Sequence, residues 1–161
     1  MSAAIPFATL PSGPLVLASA SATRRGLLER AGFDVICLPA SIDEHAIRAA
    51  SVAEDMPAGE TAVILAEMKG QAVCRSHELV PGQLLLAADQ ILELDGDMLS
   101  KPASRDEAAD QLARLAGRKH RVLTAAVMFR HGVRIWHHLA TNTLHVRAMT
   151  CLLYTSDAAD D

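Results

Sequence analysis

The chain has 161 residues, half of them apolar but only 3% aromatic, and a formal net charge of −4. That length suits one compact domain and leaves no room for two ordinary ones, and a core of Leu, Val, Ile and Ala fits a sheet covered by helices better than an all-β sandwich. The negative balance argues against general nucleic-acid or anionic-membrane binding, which an excess of Lys and Arg drives, so a polyanionic ligand would need a local basic pocket.

The first fourteen residues carry Pro6, Pro11, Gly13 and Pro14 and read as a loose leader. They lack the charged-then-apolar layout of a signal peptide, and no apolar stretch approaches the roughly 20 residues that span a bilayer, so a cytoplasmic protein is expected. Leu15 to Ala18 reads as a short buried strand. The hydroxyls of Ser19 and Ser21 follow, and then a helix over TRRGLLERAG that Gly32 ends. Phe33 to Leu38 is expected as a second strand, giving a strand, helix, strand unit. Ser41 to Gly59 is polar and is expected to be a loop with a helical turn.

Glu60 to Arg75 has Val63, Ala66, Ala72 and Val73 at helical spacing, with Gly70 inside it at a cost of about 1 kcal/mol relative to Ala. Leu84 to Ala88 predicts a strand that ends at Asp89, and Asp95-Gly96 between two apolar runs signals a hairpin. Ser104 to Glu107 has the capping-box pattern, opening a helix whose Ala108, Leu112 and Leu115 face the core before Gly117 stops it. Val122 to Phe129 and Val133 to Val146 are expected as a second hairpin turning at His131-Gly132. The domain is therefore expected over 15–147. Residues 148–161, which turn small, polar and acidic, are expected to be a tail foreign to it, with the genuine sequence ending near Arg147.

Phosphate chemistry is suggested at three places. Ser19, Ser21, Arg24 and Arg25 lie where a strand turns into a helix, so hydroxyls, backbone N–H groups and guanidinium donors can gather around one anion. The blander alternative makes Ser21 an N-cap and the arginines solvated first-turn residues. Asp89 at a strand end can hold a divalent metal or deprotonate a water, or merely cap a turn. Asp43-Glu44, Lys69 and Lys101 are, taken singly, more often solvated surface groups. Cys37, Cys74 and Cys151 form no C-x-x-C pair and are expected to be reduced thiols. His137-His138, with His120, His131 and His145, suggest no metal cluster, because adjacent strand residues point to opposite faces. Trp136 is expected to be a packing residue.

In order, LASASATRRGLL (17–28), IDE (42–44), LAEMKGQAV (65–73), LLAADQILELDGDMLSKP (85–102) and AADQLARLAGRKHRVLTAA (108–126) resemble successive motifs of the Maf family of house-cleaning nucleotide pyrophosphatases. The resemblance implies an α/β fold of Maf and ITPase-like type, a mixed twisted sheet flanked by helices, incomplete at its C-terminus. It implies hydrolysis of a nucleoside triphosphate to the monophosphate and pyrophosphate with Mg²⁺ or Mn²⁺, and a homodimer. Carried over residue by residue, Ser19 and Arg24 match the phosphate-binding serine and arginine, and Lys69 and Lys101 match the phosphate-contacting lysines. Glu44 matches an acidic residue near the metal. Asp89 matches the proton acceptor for the attacking water, also beside the metal. His120 falls in the G-R-x-H segment and implies a structural or pocket role.

Three departures stand out. Ala22 replaces the usual proline. Thr23 and Gln90 occupy positions tied to base choice: Thr23 matches neither the branch resembling dTTP and UTP hydrolases nor the branch resembling 7-methyl-GTP hydrolases, while Gln90 resembles the latter. The family also continues for some forty more residues with a Q-G-x-G-type segment, so a chain of this length is expected to be unstable or weakly active. A rival reading from the same resemblance is a catalytically impaired nucleotide-binding protein linked to septum formation.

Overall fold

The computed structural model describes residues 13–148. The expected leader over 1–14 and the tail over 148–161 therefore lie almost wholly outside the described residues, as does Cys151.

The chain opens as expected. Strand β1 (Leu15–Leu17) feeds helix α1 (Ala22–Arg30) and returns as β2 (Val35–Cys37), parallel to β1 with Leu15 opposite Val35. Gly32 takes φ +90, a left-handed conformation that glycine adopts without steric penalty just past a helix end. The next segment corrects the sequence reading: the expected loop contains a ten-residue helix, α2 (Glu44–Ala53). Asp43 caps it by accepting the Ala46 N–H at 2.9 Å, and Ala-rich sequence carries it on to Asp55, whose φ of +51 breaks the helical path.

Helix α3 (Ala58–Ser76) is the long element of the fold and lies against the sheet. Its buried face comprises Ala62, Leu65, Ala66 and Val73 together with Gly59, Thr61 and Gly70, while Val63 is only partly buried. Both glycines allow close approach. A Cβ on Gly59 would stand 2.7 Å from Leu139 Cδ2, and one on Gly70 would run into the Phe129 ring. The helix-propensity cost read at Gly70 is thus the condition for seating α3 on the sheet.

A second correction concerns β3. It runs unbroken from Leu84 to Leu94, so Asp89 lies mid-strand, opposite Ala125, and does not end the strand. What ends there is the neighbouring strand, because β1 pairs with β3 only at Leu85 and Leu86. The strand-end character inferred from the sequence belongs to that parallel neighbour. Beyond it, β4 (Asp97–Leu99) closes the expected hairpin, with Asp95 at φ 52 and Gly96 at φ 95.

Helix α4 (Arg105–Leu115) begins at the expected box: Ser104 Oγ accepts the Glu107 N–H at 3.1 Å, and Glu107 reaches back to the Ala103 N–H at 2.7 Å. Leu115 joins Leu94 and Leu99 in a small second core, but Leu112 is exposed and does not face the core as expected. The last hairpin is β5 (Lys119–Arg130) and β6 (Val133–His145), turning at His131 and Gly132, both with positive φ.

The sheet order is β2-β1-β3-β5-β6, with β4 also on β3; parallel at the β1 end and antiparallel elsewhere, it is the mixed α/β sheet expected. β6 is the outer strand and exposed along nearly its whole length. Trp136, expected to be a packing residue, is half exposed there and packs by stacking on His138 at 6.0 Å, outside the core.

Candidate active site

Side chains alternate along β3, and the row Leu85, Ala87, Ile91 faces α3 in the main core. Asp89 belongs to that row by period, so the same pairing that buries the apolar residues buries a carboxylate, 3% exposed. An unpaired buried carboxylate is costly, and the structure supplies two cations. Lys69 on α3 places Nζ 2.6 Å from Asp89 Oδ1, and Arg48 on α2 places Nη2 3.4 Å from Asp89 Oδ2. Lys69 is itself 12% exposed and also meets Glu44 Oε1 at 2.9 Å. One ammonium is thus shared by two carboxylates from different elements.

A second set of groups lies at the end of β1. Ser21 caps α1 by accepting the Arg24 N–H at 3.3 Å, which is the bland role weighed from the sequence. Ser19, buried, accepts both the Ser21 N–H at 3.2 Å and Arg24 Nη1 at 3.3 Å. Arg25 turns away to an exposed pair with Glu29 at 2.7 Å, and that hydrogen bond raises its pKa further above the ordinary arginine value. The two sets share one region of the sheet. Leu17, the last residue of β1, is level with Leu86, and Asp89 lies three residues further along β3, on the order of 10 Å at strand rise.

Glu44, Lys69 and Asp89 are therefore brought together, and Ser19 with Arg24 forms a pair nearby. Lys101 is exposed beyond β4 and makes no ion pair among the described residues. Thr23 is exposed on α1. Gln90, next to Asp89 in a strand, points to the opposite face, where its Nε2 donates to Thr124 Oγ1 at 3.1 Å.

The sequence does not single out Arg48, because Ser41 to Gly59 reads as a loop with a helical turn. Read as a helix, Glu44 and Arg48 are four residues apart on one face, a spacing that sends both toward the same neighbour. The carboxylates of Glu44 and Asp89, converging on one cationic position, suit an ion such as Mg²⁺, which takes one or two carboxylates and completes its shell with water and substrate phosphate. Among the described residues no group of three or more His, Cys, Asp or Glu converges, so the substrate would have to supply part of that shell. No helix among them is long and apolar enough to cross a membrane. Cys37 and Cys74 are free, and burial pushes the Cys74 thiol up from its ordinary value.

The chain is 38% identical over 137 residues to a nucleoside triphosphate pyrophosphatase of Ruegeria pomeroyi, which covers 85% of this chain and 67% of that protein. It is 42% identical over 136 residues to a protein of the same name from Gluconobacter oxydans, covering 84% and 66%. The chain thus spans about two thirds of the length of these curated relatives. Among solved structures, a HAM1 protein from Coxiella burnetii aligns with a TM-score of 0.48 at 13% identity, over 80% of this chain and 69% of that one. The family model described as Maf-like protein matches residues 14–153, and the chain belongs to the Maf family.

Proposed function

We propose that this chain is a nucleoside triphosphate pyrophosphatase, which cleaves a nucleoside triphosphate, standard or modified, to the monophosphate and pyrophosphate. The observation that carries this reading is the buried Asp89 carboxylate held between Lys69 and Arg48. A carboxylate so placed can act as a base, and the cations beside it can receive phosphate oxygens. The relatives' shared name supports the same reaction class.

The sequence of events follows from charge. A triphosphate competes with Glu44 and Asp89 for Lys69, and Arg24 and Ser19 offer further donors at the end of β1. Lys101, exposed after β4, is free to reach the same anion. Once Lys69 turns to phosphate, Asp89 Oδ1 is released to accept a proton from water. The water oxygen bonds to the α-phosphorus, the bond from that phosphorus to the bridging oxygen breaks in line, and pyrophosphate leaves. Lys69 stabilises the charge that spreads over the transferring group, and Arg24 holds the phosphates beside it. Glu44 and Asp89 would hold a divalent ion, Mg²⁺ or Mn²⁺, which when bound neutralises phosphate charge. Thr23, at the mouth of the turn, and Gln90 are the positions proposed to bear on base choice.

The test is pyrophosphate release from dTTP, UTP and 7-methyl-GTP with Mg²⁺ or Mn²⁺, alongside Asp89→Asn. Loss of a general base is worth about 10²- to 10⁴-fold, so Asp89→Asn is expected to lose turnover on that order while still binding nucleotide. Turnover unchanged in Asp89→Asn, or no pyrophosphate from any nucleotide, would sink the reading.

A further inference from the structure

The Asp89 carboxylate has two oxygens, and they are held differently. Oδ1 meets Lys69 at 2.6 Å, a short contact with a flexible ammonium that also serves Glu44. Oδ2 meets the guanidinium of Arg48 at 3.4 Å, at the outer limit of a hydrogen bond. Arginine's planar fork normally grips a carboxylate with two parallel bonds, but Arg48 uses one arm only. Its other arm, Nη1, is buried with no hydrogen-bond partner among the described residues. A buried donor without a partner opposes folding, so stability alone does not account for this arginine. Glu44, the nearest alternative acid on its own helix, is already engaged by Lys69.

We propose that Arg48 is a positioning residue for Asp89: it fixes Oδ2, so that when substrate draws Lys69 off Oδ1 the carboxylate keeps its place and presents that oxygen to the attacking water. This role rests on the pyrophosphatase reading above. The two lone pairs of Oδ1 are then the ones aimed at water, and Arg48 carries the compensating charge at the moment Lys69 leaves. No contact between Arg48 and the nucleotide is required.

Arg48→Met and Arg48→Lys in the full chain, assayed for pyrophosphate release with Mg²⁺ on the fastest of dTTP, UTP and 7-methyl-GTP and melted in parallel, test the role. Misplacing a reacting group by about an ångström is worth up to roughly 10²-fold, so Arg48→Met is expected to lower kcat about 10- to 100-fold and leave KM within about threefold. Its melting temperature is expected to hold, because Lys69 stays on Asp89 at 2.6 Å and loss of the long 3.4 Å contact is offset by removal of the orphaned donor, and Arg48→Lys is expected to recover most of kcat. A kcat within about twofold of the wild type in Arg48→Met overturns the role, as does a rise in KM at constant kcat, which would make Arg48 a phosphate ligand. A fall in melting temperature that accompanies the loss of kcat, with no rescue by lysine, overturns it in favour of a structural one. Absence of pyrophosphate release from the wild type removes the underlying reading and this role together, an outcome distinct from a wild type that turns over beside an unimpaired Arg48→Met.

Discussion

The two sets of charged groups on this sheet are held in opposite ways. Around Asp89, every charge is matched before any ligand arrives: Lys69 bridges two carboxylates, Arg48 backs one of them, and the elements that carry them are packed in the main core. At the end of β1 the anchoring is slight. Arg24 leans on a neutral hydroxyl, and its helix α1 buries none of its residues. A ligand must displace existing ion pairs to use the first set, and only draw a guanidinium off a neutral hydroxyl to use the second. Position is therefore built by packing in one place and by local turn geometry in the other, and substitutions should separate the two: removing Lys69, the cation shared by both inner carboxylates, moves stability and turnover together, while outer changes move affinity alone.

Lys69→Met gives the largest expected effect. It removes a buried cation from between Glu44 and Asp89, and breaking a buried pair by deleting one partner costs on the order of 3–5 kcal/mol. Arg48 remains on Asp89, so the lower end applies. A thermal melt is expected to drop by about 10 °C, at a few degrees per kcal/mol for a domain of this size, with pyrophosphate release falling in the same preparation. An unchanged melt would show that the inner charges are not structurally coupled, and the contrast between the two sets would fail.

How much of this was legible beforehand follows the same division. The α1 turn, the α3 helix, both hairpins and the α4 capping box are local features, written in adjacent residues, and the sequence showed each of them. Lys69 and Asp89 were identified by motif, but their 2.6 Å pairing depends on how α3 docks across β3, which no local pattern encodes. The alternation Leu85, Ala87, Asp89, Ile91 is readable and keeps Asp89 inside one long strand, whereas the fully apolar run Leu84 to Ala88 reads as a strand that ends at Asp89. Arg48 is missed together with α2: the segment has an amphipathic pattern, but the polar stretch that surrounds it reads as a loop with a helical turn. Gln90 shows the converse limit: proximity in sequence to Asp89 meant the opposite face in space.

Gly70→Ala comes next in size and probes the docking itself. In an exposed helix the change would gain up to about 1 kcal/mol from propensity. Here the new methyl would strike Phe129, standing 2.8 Å from Cδ2 and Cζ and closer to Cε2, and overpacking of that kind costs about 1–3 kcal/mol. The net expectation is a destabilisation of about 1–2 kcal/mol. Because Lys69 precedes Gly70 on the same turn, lifting α3 off the sheet also shifts the ammonium from Asp89, so kcat is expected to fall with the melt. A stabilised Gly70→Ala would mean that α3 does not rest on Phe129 as described.

Arg24→Leu is the smallest expected change and the sharpest test of the outer set. Among the described residues Arg24 has no carboxylate partner, and its bond to Ser19 Oγ is 3.3 Å long, so little folding free energy depends on it. The cap on α1 survives the substitution, because Ser21 accepts the backbone N–H of residue 24 and not its side chain. The melt is therefore expected to stay within about 2 °C of the wild type. Loss of one charged donor to phosphate is worth about 1.5 kcal/mol or more, which appears as a KM raised about tenfold or further. If KM stays fixed while kcat falls, the guanidinium engages only the transition state, and the α1 turn is then part of the chemistry and not of ground-state binding. If the melt drops as far as that of Lys69→Met, Arg24 is a structural residue after all, and the division between a packed inner set and a loosely held outer one does not describe this molecule.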